Sequence, residues 1–319
     1  MADPMRRNIP VWMRPNLRGK GRLCFRVFVP GTRQFLYLFT PGLVTRRDFR
    51  YNDRINKSVQ ERVETLGKII AVTNQKGGVG KTTTAVNLSA CLAAKGKRVL
   101  LVDIDPQGNA TSGLGKAGEG ENTVYDVLIG DAEAREAILS TGHGTLDLIP
   151  TAIELAGAEI ELVGVENREA LLKNALQGVR GDYDAILIDC PPSLSLLTIN
   201  ALTAADSVLI PIQCEYYALE GLGQLMNTIK LMRKKLNPEL AIEGILLTMF
   251  DSRTNLCAQV VQEVRSHFPS ELFETMIPRN VRLSEAPSYG LPIHLYDARC
   301  IGAKAYTELA QELIDRKGV

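Results

Sequence analysis

The 319-residue sequence predicts an α/β protein with a mainly parallel, doubly wound sheet and helices on both faces. Short apolar segments alternate with segments of helical periodicity, which is the pattern of βαβ crossovers. The apolar segments are nearly uninterrupted, for example AILID at 185–189 and ILLTM at 245–249, as expected of strands buried on both faces. A glycine-rich turn joins the first of these segments to a helix.

The predicted elements follow one another without an internal repeat. Helices are expected between the strands, at 81–95, 154–163, 168–179 and 219–236. A last helical segment, 303–317, has apolar spacing (Tyr306, Leu309, Ala310, Leu313 and Ile314) and a polar face of mixed charge, so we expect it to pack on the core. The predicted strands are 68–74, 98–103, 146–150, 185–189, 207–211 and 243–250.

Charge divides the chain into two parts. Residues 1–66 contain 14 Lys and Arg against 5 Asp and Glu, whereas residues 67–319 contain 23 against 31. The first part is also rich in proline, and Pro30-Gly31 between two aromatic, β-branched stretches predicts a hairpin. We therefore expect a basic, Pro-rich extension at 1–66, either disordered or an arm, followed by one α/β domain at 67–319.

Cysteine spacing and hydropathy exclude several classes of protein. The six cysteines are scattered and form no C-x-x-C pair, which argues against a disulfide framework and a zinc site and suits a reducing cytosol. No apolar run approaches the length of a membrane helix. The sequence therefore predicts a cytoplasmic protein that has no membrane partner.

The strongest chemical signal is the glycine-rich loop after the first strand. Its glycines allow backbone N–H groups to curl around phosphate oxygens, and the next helix presents its positive amino end to the same anion. Lys81 is predicted to reach the β- and γ-phosphates of ATP, and Thr82 to ligate Mg²⁺. The residues predicted to bind the nucleotide here are Lys76, Gly77, Gly78, Val79, Gly80, Lys81, Thr82 and Thr83.

Acidic residues stand where two later strands end. Asp103 and Asp105 lie at the carboxyl end of the second strand, where open α/β sheets place their ligands. Asp105 precedes a proline, so a turn carboxylate is the competing interpretation. Asp189 ends an apolar strand in the Walker B arrangement, which predicts that it holds Mg²⁺ directly or through water.

The loop departs from the ordinary G-x-x-x-x-G-K-[ST] pattern. Gln75 stands at the first glycine position and Lys76 follows it. This K-G-G-x-G-K-[ST] variant resembles the deviant Walker A motif of the ParA/MinD superfamily of P-loop NTPases. From Gly67 to about residue 316 the chain resembles the ParA/Soj chromosome-partitioning ATPases in particular. The segments that carry this second resemblance are 105–115, 156–161, 189–194, 213–221 and 277–287.

The resemblance implies an ATPase that forms a homodimer with ATP between its subunits. In such a dimer Lys76 would cross the interface to the partner's nucleotide, and Asp105 would position the attacking water near Mg²⁺. The implied catalytic residues are thus Lys76, Lys81 and Asp105, and the implied magnesium ligands are Thr82, Asp105 and Asp189. Pro278 and Asn280 are candidates for contacting the adenine.

Further implied properties concern DNA. The resemblance implies weak hydrolysis stimulated by a ParB-type centromere-binding protein, non-specific binding of double-stranded DNA and association with the nucleoid, in chromosome or plasmid segregation. Arg253, Arg279 and Arg282 are the implied DNA contacts, with Lys304 a further candidate. Pairing of these arginines with nearby acids is a competing interpretation, because residues 67–319 are net acidic.

Other members of the superfamily give the alternative functions. A MinD-like regulator at the membrane would need a basic amphipathic helix, and the face of 303–317 has mixed charge. An iron–sulfur reductase of the nitrogenase iron-protein type would need cysteines in glycine-rich contexts, which this sequence does not have. A tyrosine kinase should have a tyrosine-rich tail, whereas the last tyrosine is Tyr306.

The basic extension has two interpretations. It is either an arm that binds DNA or a partner, or upstream sequence read through because translation starts later, near Leu66-Gly67-Lys68. The second interpretation is favoured because proteins of the resembled family usually begin just before this strand.

Overall fold

The computed structural model describes residues 24–28, 35–39, 66–215, 218–317 and 319. The chain divides into two units, Met1–Glu64 and Thr65–Val319. In the first, strands β1 (Cys24–Phe28) and β2 (Phe35–Phe39) pair antiparallel, with Cys24 opposite Phe39 and Phe28 opposite Phe35. This pairing agrees with the predicted hairpin, while its expected turn, Pro30-Gly31, lies outside the described residues.

The second unit contains a seven-stranded sheet in the order β5-β6-β4-β7-β3-β8-β9. Neighbouring strands are parallel except β5 and β6, which are antiparallel at one edge. The predicted mainly parallel sheet is therefore confirmed. The strands are β3 (Lys68–Val72), β4 (Val99–Asp103), β5 (Leu139–His143), β6 (Leu146–Ile149), β7 (Ala185–Asp189), β8 (Ser207–Gln213) and β9 (Ala241–Thr248).

Helices connect these strands. Short 3₁₀ segments lie at Ala134–Ala137, Leu162–Gly164, Arg168–Ala170, Arg180–Asp182 and Ala286–Tyr289. The α-helices are α1 (Lys81–Ala94), α2 (Asn109–Gly113), α3 (Val124–Ile129), α4 (Leu155–Glu161), α5 (Leu171–Leu176), α6 (Leu196–Ala204), α7 (Ala218–Lys235), α8 (Asn255–His267), α9 (Val281–Glu285), α10 (Ile293–Tyr296) and α11 (Ile301–Lys317).

Each face of the sheet has its own apolar core, because alternate residues of a strand point to opposite faces. In β3, Ile69 and Ala71 join the core covered by α3 to α8, whereas Ile70 and Val72 join the core covered by α1 and α11. The α11 residues Tyr306, Leu309, Ala310 and Leu313 are almost wholly buried in the second core. The expected packing of this last helix on the core is therefore confirmed.

Several predicted boundaries were wrong, and one strand was missed. The helix expected at 168–179 is a 3₁₀ turn followed by the short α5, because the Asn200 side chain bonds to the Arg168 carbonyl and the Leu172 N–H across this junction. The strand expected at 68–74 ends at Val72, so Asn74 belongs to the following loop. The edge strand β5 was not predicted, because its residues are only partly buried and include Gly142.

None of the helices in the described part of the chain is both long and apolar enough to cross a lipid bilayer.

Candidate functional site

The glycine-rich loop connects the carboxyl end of β3 to the amino end of α1. Gly78 and Gly80 have φ of 74° and 85°, a left-handed backbone that strongly favours glycine. No side chain caps α1, whose N-cap is Gly80. The first N–H groups of this 14-residue helix therefore remain available to an anion at its positive end.

The loop also leaves room for such an anion. A Cβ atom placed on Gly77 or Gly78 would have no protein atom within 4 Å outside its own chain neighbours. The protein itself therefore gives no steric reason for glycine at position 77. A phosphate group seated against the loop would supply one, because it needs close approach to the backbone.

The loop lysine Lys81 is held inside the loop. It is only 7% exposed, and its Nζ donates to the Lys76 carbonyl oxygen over 3.3 Å. Burial lowers the pKa of Lys81, and the nearby Asp189 carboxylate opposes that change. An ammonium group at this position has few anionic partners within the chain, and it is well placed to gain one from a phosphate.

The second loop lysine, Lys76, forms an ion pair within the chain that the sequence did not predict. Its Nζ lies 2.7 Å from Oε2 of Glu215, just beyond the end of β8, and both side chains are more than one-third exposed. The Lys76 backbone N–H donates to Oδ1 of Asn74, whose amide in turn donates to the Pro211 carbonyl. Lys76 thus lies at the carboxyl end of the sheet, in an ion pair within its own subunit.

Polar residues at the strand ends support the loop from below. The Thr248 hydroxyl at the end of β9 donates to the Val79 carbonyl oxygen over 2.8 Å, and the Gln75 amide donates to Thr228 on α7 over 2.9 Å. Sequence reasoning missed Asn74 and Thr248 as supports. A usable signal was present, since each is a polar residue at the carboxyl end of an apolar parallel strand.

Asp103 is a structural carboxylate. It is fully buried and accepts hydrogen bonds from the Thr111 N–H and hydroxyl at 2.8 and 2.7 Å and from the Asp105 N–H at 3.2 Å. Burial raises its pKa to about 6, although the hydrogen bonds from Thr111 oppose the shift. Asp103 therefore fixes the backbone that carries Asp105.

Asp105 lies in a turn beside this network. Its Oδ1 accepts from the Gln107 N–H over 3.0 Å, which is the turn geometry that was weighed as its competing role. The side chain is 6% exposed and close enough to Lys81 to favour the charged lysine. Its second oxygen, Oδ2, is therefore the atom through which a catalytic role would have to act.

Asp189 is a buried carboxylate whose hydrogen-bonding capacity is not satisfied by the described residues. It is fully buried at the end of β7, and within the described residues neither carboxylate oxygen has a hydrogen-bond partner. Burial raises its pKa well above the usual value, as does neighbouring Asp103, while the Thr82 side chain and Lys81 oppose the rise. A buried carboxylate without partners is costly, and a cation would satisfy it.

Mg²⁺ fits this position by the chemistry of its donors. Asp189 and the Thr82 hydroxyl are the hard oxygen ligands that Mg²⁺ prefers, and Mg²⁺ usually takes its remaining ligands from water and phosphate. In the described part of the chain, no group of three or more His, Cys, Asp or Glu side chains could hold a metal ion. A magnesium ion here would therefore depend on phosphate oxygens as well as on the protein.

The predicted DNA contacts lie on loops and short helices beyond β9, and two of them are paired. Arg253 forms a two-bonded ion pair with Asp251 at 2.8 and 2.7 Å, yet its side chain is 86% exposed. Arg282 pairs with Glu285 at 2.8 Å. Arg279 and Lys304 are exposed. The competing interpretation, pairing with acids, thus describes Arg253 and Arg282 within this chain, while leaving both at the surface.

The two predicted adenine contacts border the same strand end. Pro278 forms an isolated bridge with Phe250, which follows β9. Asn280 is the N-cap of α9, and its Oδ1 accepts from the Arg282 N–H over 2.8 Å. This bond leaves the Asn280 amide group as the donor that a base could use.

Comparison with known proteins extends these observations. A family profile described as "AAA domain" matches residues 67–242. The chain is 64% identical to "Sporulation initiation inhibitor protein Soj" of Bacillus subtilis, over 78% of this chain and 98% of that protein. It is 57% identical to "Chromosome partitioning protein ParA" of Myxococcus xanthus, over 79% and 89%.

A solved structure matches as well. A Mycobacterium smegmatis protein titled cobyrinic acid a,c-diamide synthase, with bound ADP and magnesium, has a TM-score of 0.69 and 40% identity, over 80% of this chain and 97% of that one.

Proposed function

Because the chain belongs to the Soj/ParA family of chromosome-partitioning ATPases, we propose that it is an ATP-dependent DNA-partitioning ATPase. The observation that carries the proposal is Asp189, a fully buried carboxylate that has no hydrogen-bond partner among the described residues and lies beside the uncapped amino end of α1. That pair of features needs a cation and an anion together. The Mg²⁺ complex of ATP supplies both.

The loop residues 76–83 bind the phosphates through backbone N–H groups and the Lys81 ammonium. Thr82 and Asp189 would hold Mg²⁺, which when bound would supply neutralisation of charge on the β- and γ-phosphates. Asp105 orients the attacking water through its free carboxylate oxygen, held in place by Asp103. Catalysis is then positioning and charge neutralisation, and the expected intrinsic rate is weak.

ATP closes a homodimer through Lys76. In the single subunit this lysine is paired with Glu215 on the nucleotide side of the sheet, where the exposed ion pair is worth little. A γ-phosphate of a facing subunit offers a stronger, doubly charged partner. The dimer therefore forms only when ATP is bound, and hydrolysis releases it.

The ATP-bound dimer binds double-stranded DNA without sequence preference through Arg253, Arg279 and Arg282. All three contacts would be to phosphate groups, which carry no sequence information and weaken as salt rises. A ParB-type protein stimulates hydrolysis and so releases the dimer from the nucleoid into the cytoplasm. The 57% identity to a relative named for chromosome partitioning supports this interpretation.

The remaining assignments concern adenine and the extension. Pro278 and the Asn280 amide contact the adenine at the carboxyl end of β9. The ATPase domain spans 67–319, and residues 1–66 lie outside it, in agreement with a family match that begins at residue 67. The intact mass of the endogenous protein tests whether those 66 residues are present in the cell.

The decisive experiment is size-exclusion chromatography with and without ATP and Mg²⁺, with DNA retention measured on the same fractions. The wild type is expected to dimerise only with ATP, and only the dimer to retain DNA. Lys76→Ala should bind ATP and remain monomeric, whereas Asp105→Ala should accumulate as an ATP-bound dimer that retains DNA. Arg282→Ala should dimerise and lose DNA.

A matched control separates DNA contact from general loss of charge. Arg265 is an exposed arginine on α8, paired with Glu274 much as Arg282 is paired with Glu285. Arg265→Ala is expected to retain DNA as the wild type does. Equal loss in both variants would refute the assigned contact, and a monomeric Asp105→Ala in ATP would refute the role of Asp105.

A further inference from the structure

The three arginines assigned to DNA differ in how many carboxylates surround them. Among the described residues no salt bridge involves Arg279. Arg253 pairs with one aspartate and is 86% exposed. Arg282 lies between two carboxylates, those of Glu285 and Asp297, and its side chain is 53% exposed. Of the three, Arg282 is therefore the one that the described residues restrain most.

The guanidinium of Arg282 is surrounded by two acids and an aromatic ring. Its Nη1 donates to Oε2 of Glu285 over 2.8 Å, and its Nε lies 3.6 Å from Oδ2 of Asp297. The centroid of the Tyr296 ring lies 6.0 Å from the guanidinium carbon, at the outer limit of a cation–π contact. The Tyr296 hydroxyl donates to the same Glu285 oxygen over 3.1 Å, and the Tyr289 ring packs on Tyr296 with centroids 5.0 Å apart. These contacts hold the guanidinium in one position at the surface.

Carboxylates and phosphates compete for the same donors of an arginine. The planar guanidinium presents its N–H groups in a fork that matches either kind of anion. Glu285 lies three residues after Arg282, which makes the two side chains neighbours at the end of α9. Asp297 directly follows α10, so the second acid comes from another segment. A DNA phosphate that takes Nη1 or Nε of Arg282 must therefore displace one of these acids and remain next to its charge.

We propose that Glu285 and Asp297, here called the carboxylate clamp, compete with DNA phosphate for Arg282 and thereby lower the affinity of the ATP-bound dimer for DNA. The inference rests on the proposed function, since it concerns the DNA contact assigned there to Arg282. Displacing the clamp costs the ion pair, and the displaced carboxylates then lie beside phosphates of the same charge, which disfavours binding. The clamp thus favours release of DNA once hydrolysis has separated the dimer.

The exposure of the ion pair limits the size of the effect. Arg282 and Glu285 are 53% and 40% exposed, and an ion pair of this kind changes an equilibrium by at most about fivefold. A dimer presents two such arginines, so loss of the Glu285 charge should raise the affinity for DNA by up to about 25-fold. The salt dependence should change as well, because a displaced carboxylate takes up a cation while the phosphates release theirs. Without the carboxylate, the slope of log affinity against log salt should become steeper by up to about one per subunit.

Fluorescence anisotropy with a labelled duplex of mixed sequence tests the proposal. The full-length chain is loaded with a non-hydrolysable ATP analogue and Mg²⁺, and sedimentation velocity checks that each variant dimerises. Glu285→Gln is expected to bind the duplex more tightly, by up to about 25-fold, with the steeper salt dependence. Asp297→Asn should bind more tightly by a smaller factor, because Asp297 lies 3.6 Å from Arg282. Asparagine can keep the bond that Oδ1 of Asp297 accepts from the Arg299 N–H.

A matched control separates the clamp from the general effect of charge. Glu274→Gln removes the exposed acid that pairs with Arg265 on α8, and it should leave the affinity for DNA unchanged. The through-space effect of a lost negative charge is tested by adding Glu285→Gln to the Arg282→Ala variant at low salt, where screening is weakest. Because the clamp acts through Arg282, no gain in affinity is expected in that background. An equal gain with and without Arg282 would overturn the proposal.

The remaining outcomes distinguish this inference from the proposed function. If neither the wild type nor any variant binds the duplex as an ATP-loaded dimer, the proposed function fails and the clamp with it. If the wild type binds while both Glu285→Gln and Asp297→Asn match its affinity, the clamp alone is refuted. Weaker binding by dimeric Glu285→Gln would also overturn the proposal, because the acid would then position Arg282 for DNA. Should Glu285→Gln fail to dimerise, Asp297→Asn decides by the same criterion.

Discussion

The two ends of the parallel sheet differ in how their charged side chains are paired. At the amino end, Asp206 accepts from the Ile69 N–H at 2.8 Å and from Arg180 at 2.6 Å, and Arg180 also donates to the Gly67 carbonyl. Oε2 of Glu243, which is 3% exposed, is paired with Lys68 at 2.8 Å and bonded to Ser207, whereas its Oε1 has no hydrogen-bond partner among the described residues. At the carboxyl end, Asp189 has no hydrogen-bond partner within the described residues.

The difference separates what the fold needs from what the function needs. The amino end closes its ion pairs within the chain and so fixes where β3, β8 and β9 begin. Among the described residues, the carboxyl end leaves the buried Asp189 carboxylate without a hydrogen bond in the vicinity of Lys81, at a cost in stability, and so keeps both groups ready for a ligand. Substitutions at the two ends should therefore have opposite consequences.

The largest expected effect is on nucleotide binding. Lys81→Ala removes the buried ammonium that the phosphates would pair with, and we expect affinity for a fluorescent ATP analogue with Mg²⁺ to fall on the order of 100-fold or more. Lys95→Ala is the control, because the ammonium group of that lysine, at the other end of α1, donates to the Gln311 side chain at the surface. Similar affinities in the two variants would contradict the assigned role of the loop.

Two isosteric substitutions, one at each end of the sheet, test this contrast through the free energy of unfolding. Asp189→Asn removes a buried charge without partners, so we expect the free energy of unfolding without nucleotide to rise by about 2 kcal/mol at pH 7.5. Asp206→Asn weakens a half-exposed ion pair and should lower it by about 1 kcal/mol. Urea unfolding measures both.

The same two variants should also differ in how much ATP and Mg²⁺ stabilise them. Stabilisation by ATP and Mg²⁺, measured as a thermal shift, should be lost in Asp189→Asn and retained in Asp206→Asn. If Asp189→Asn destabilises the nucleotide-free protein, the carboxylate is structural, and the contrast between the two ends of the sheet fails.

A pH titration tests the same contrast through Asp103. Its folded-state pKa of about 6 lies above the ordinary value of 3.8, so the folded protein holds this proton more tightly than the unfolded chain. The group's contribution to stability is therefore fully present below the unfolded pKa and is lost as pH rises through about 6. Between those two pH values the loss should be on the order of 2 kcal/mol.

Other carboxylates have lowered pKa values, such as Asp184, and their contribution to stability increases as pH rises. The informative quantity is therefore the difference in unfolding free energy between the wild type and Asp103→Asn at each pH. Unfolding in urea at several pH values should show that the wild type loses more stability than this variant as pH rises. Parallel pH profiles would mean that Asp103 titrates normally.

Local sequence predicted the parallel strands and the phosphate loop because their signals lie within a few residues of each other. Apolar runs predict buried strands. Gly78 and Gly80 predict a left-handed backbone at their own positions, and this prediction needs no contact with distant residues. The edge strand β5 was missed because a half-buried strand with a glycine lacks the continuous apolar run. Its pairing with β6 is decided by the neighbouring strand.

The site was predicted in its residues but not in its pairings. The ion pair of Lys76 with Glu215 joins residues 139 positions apart, and the Thr248 bond to the loop joins residues 169 positions apart. No local pattern encodes such pairings. Nor does a strand-ending aspartate reveal whether it will be satisfied, as Asp103 is, or left without partners, as Asp189 is, because that depends on which side chains the fold brings within reach.

The smallest expected effect concerns the Lys76–Glu215 pair, an ion pair closed within the chain at the carboxyl end of the sheet. Glu215→Gln removes the carboxylate that pairs with Lys76. The Lys76 side chain keeps its own length and charge. Both side chains are more than one-third exposed, so each pair is worth at most about 1 kcal/mol, and the protein concentration needed for ATP-dependent dimerisation should fall by up to about fivefold for each of the two Lys76 side chains released. Sedimentation velocity in ATP measures this shift. A rise in the required concentration would mean that Glu215 itself contributes to the interface; the ion pair would then be part of the site that ATP completes rather than a competitor for Lys76.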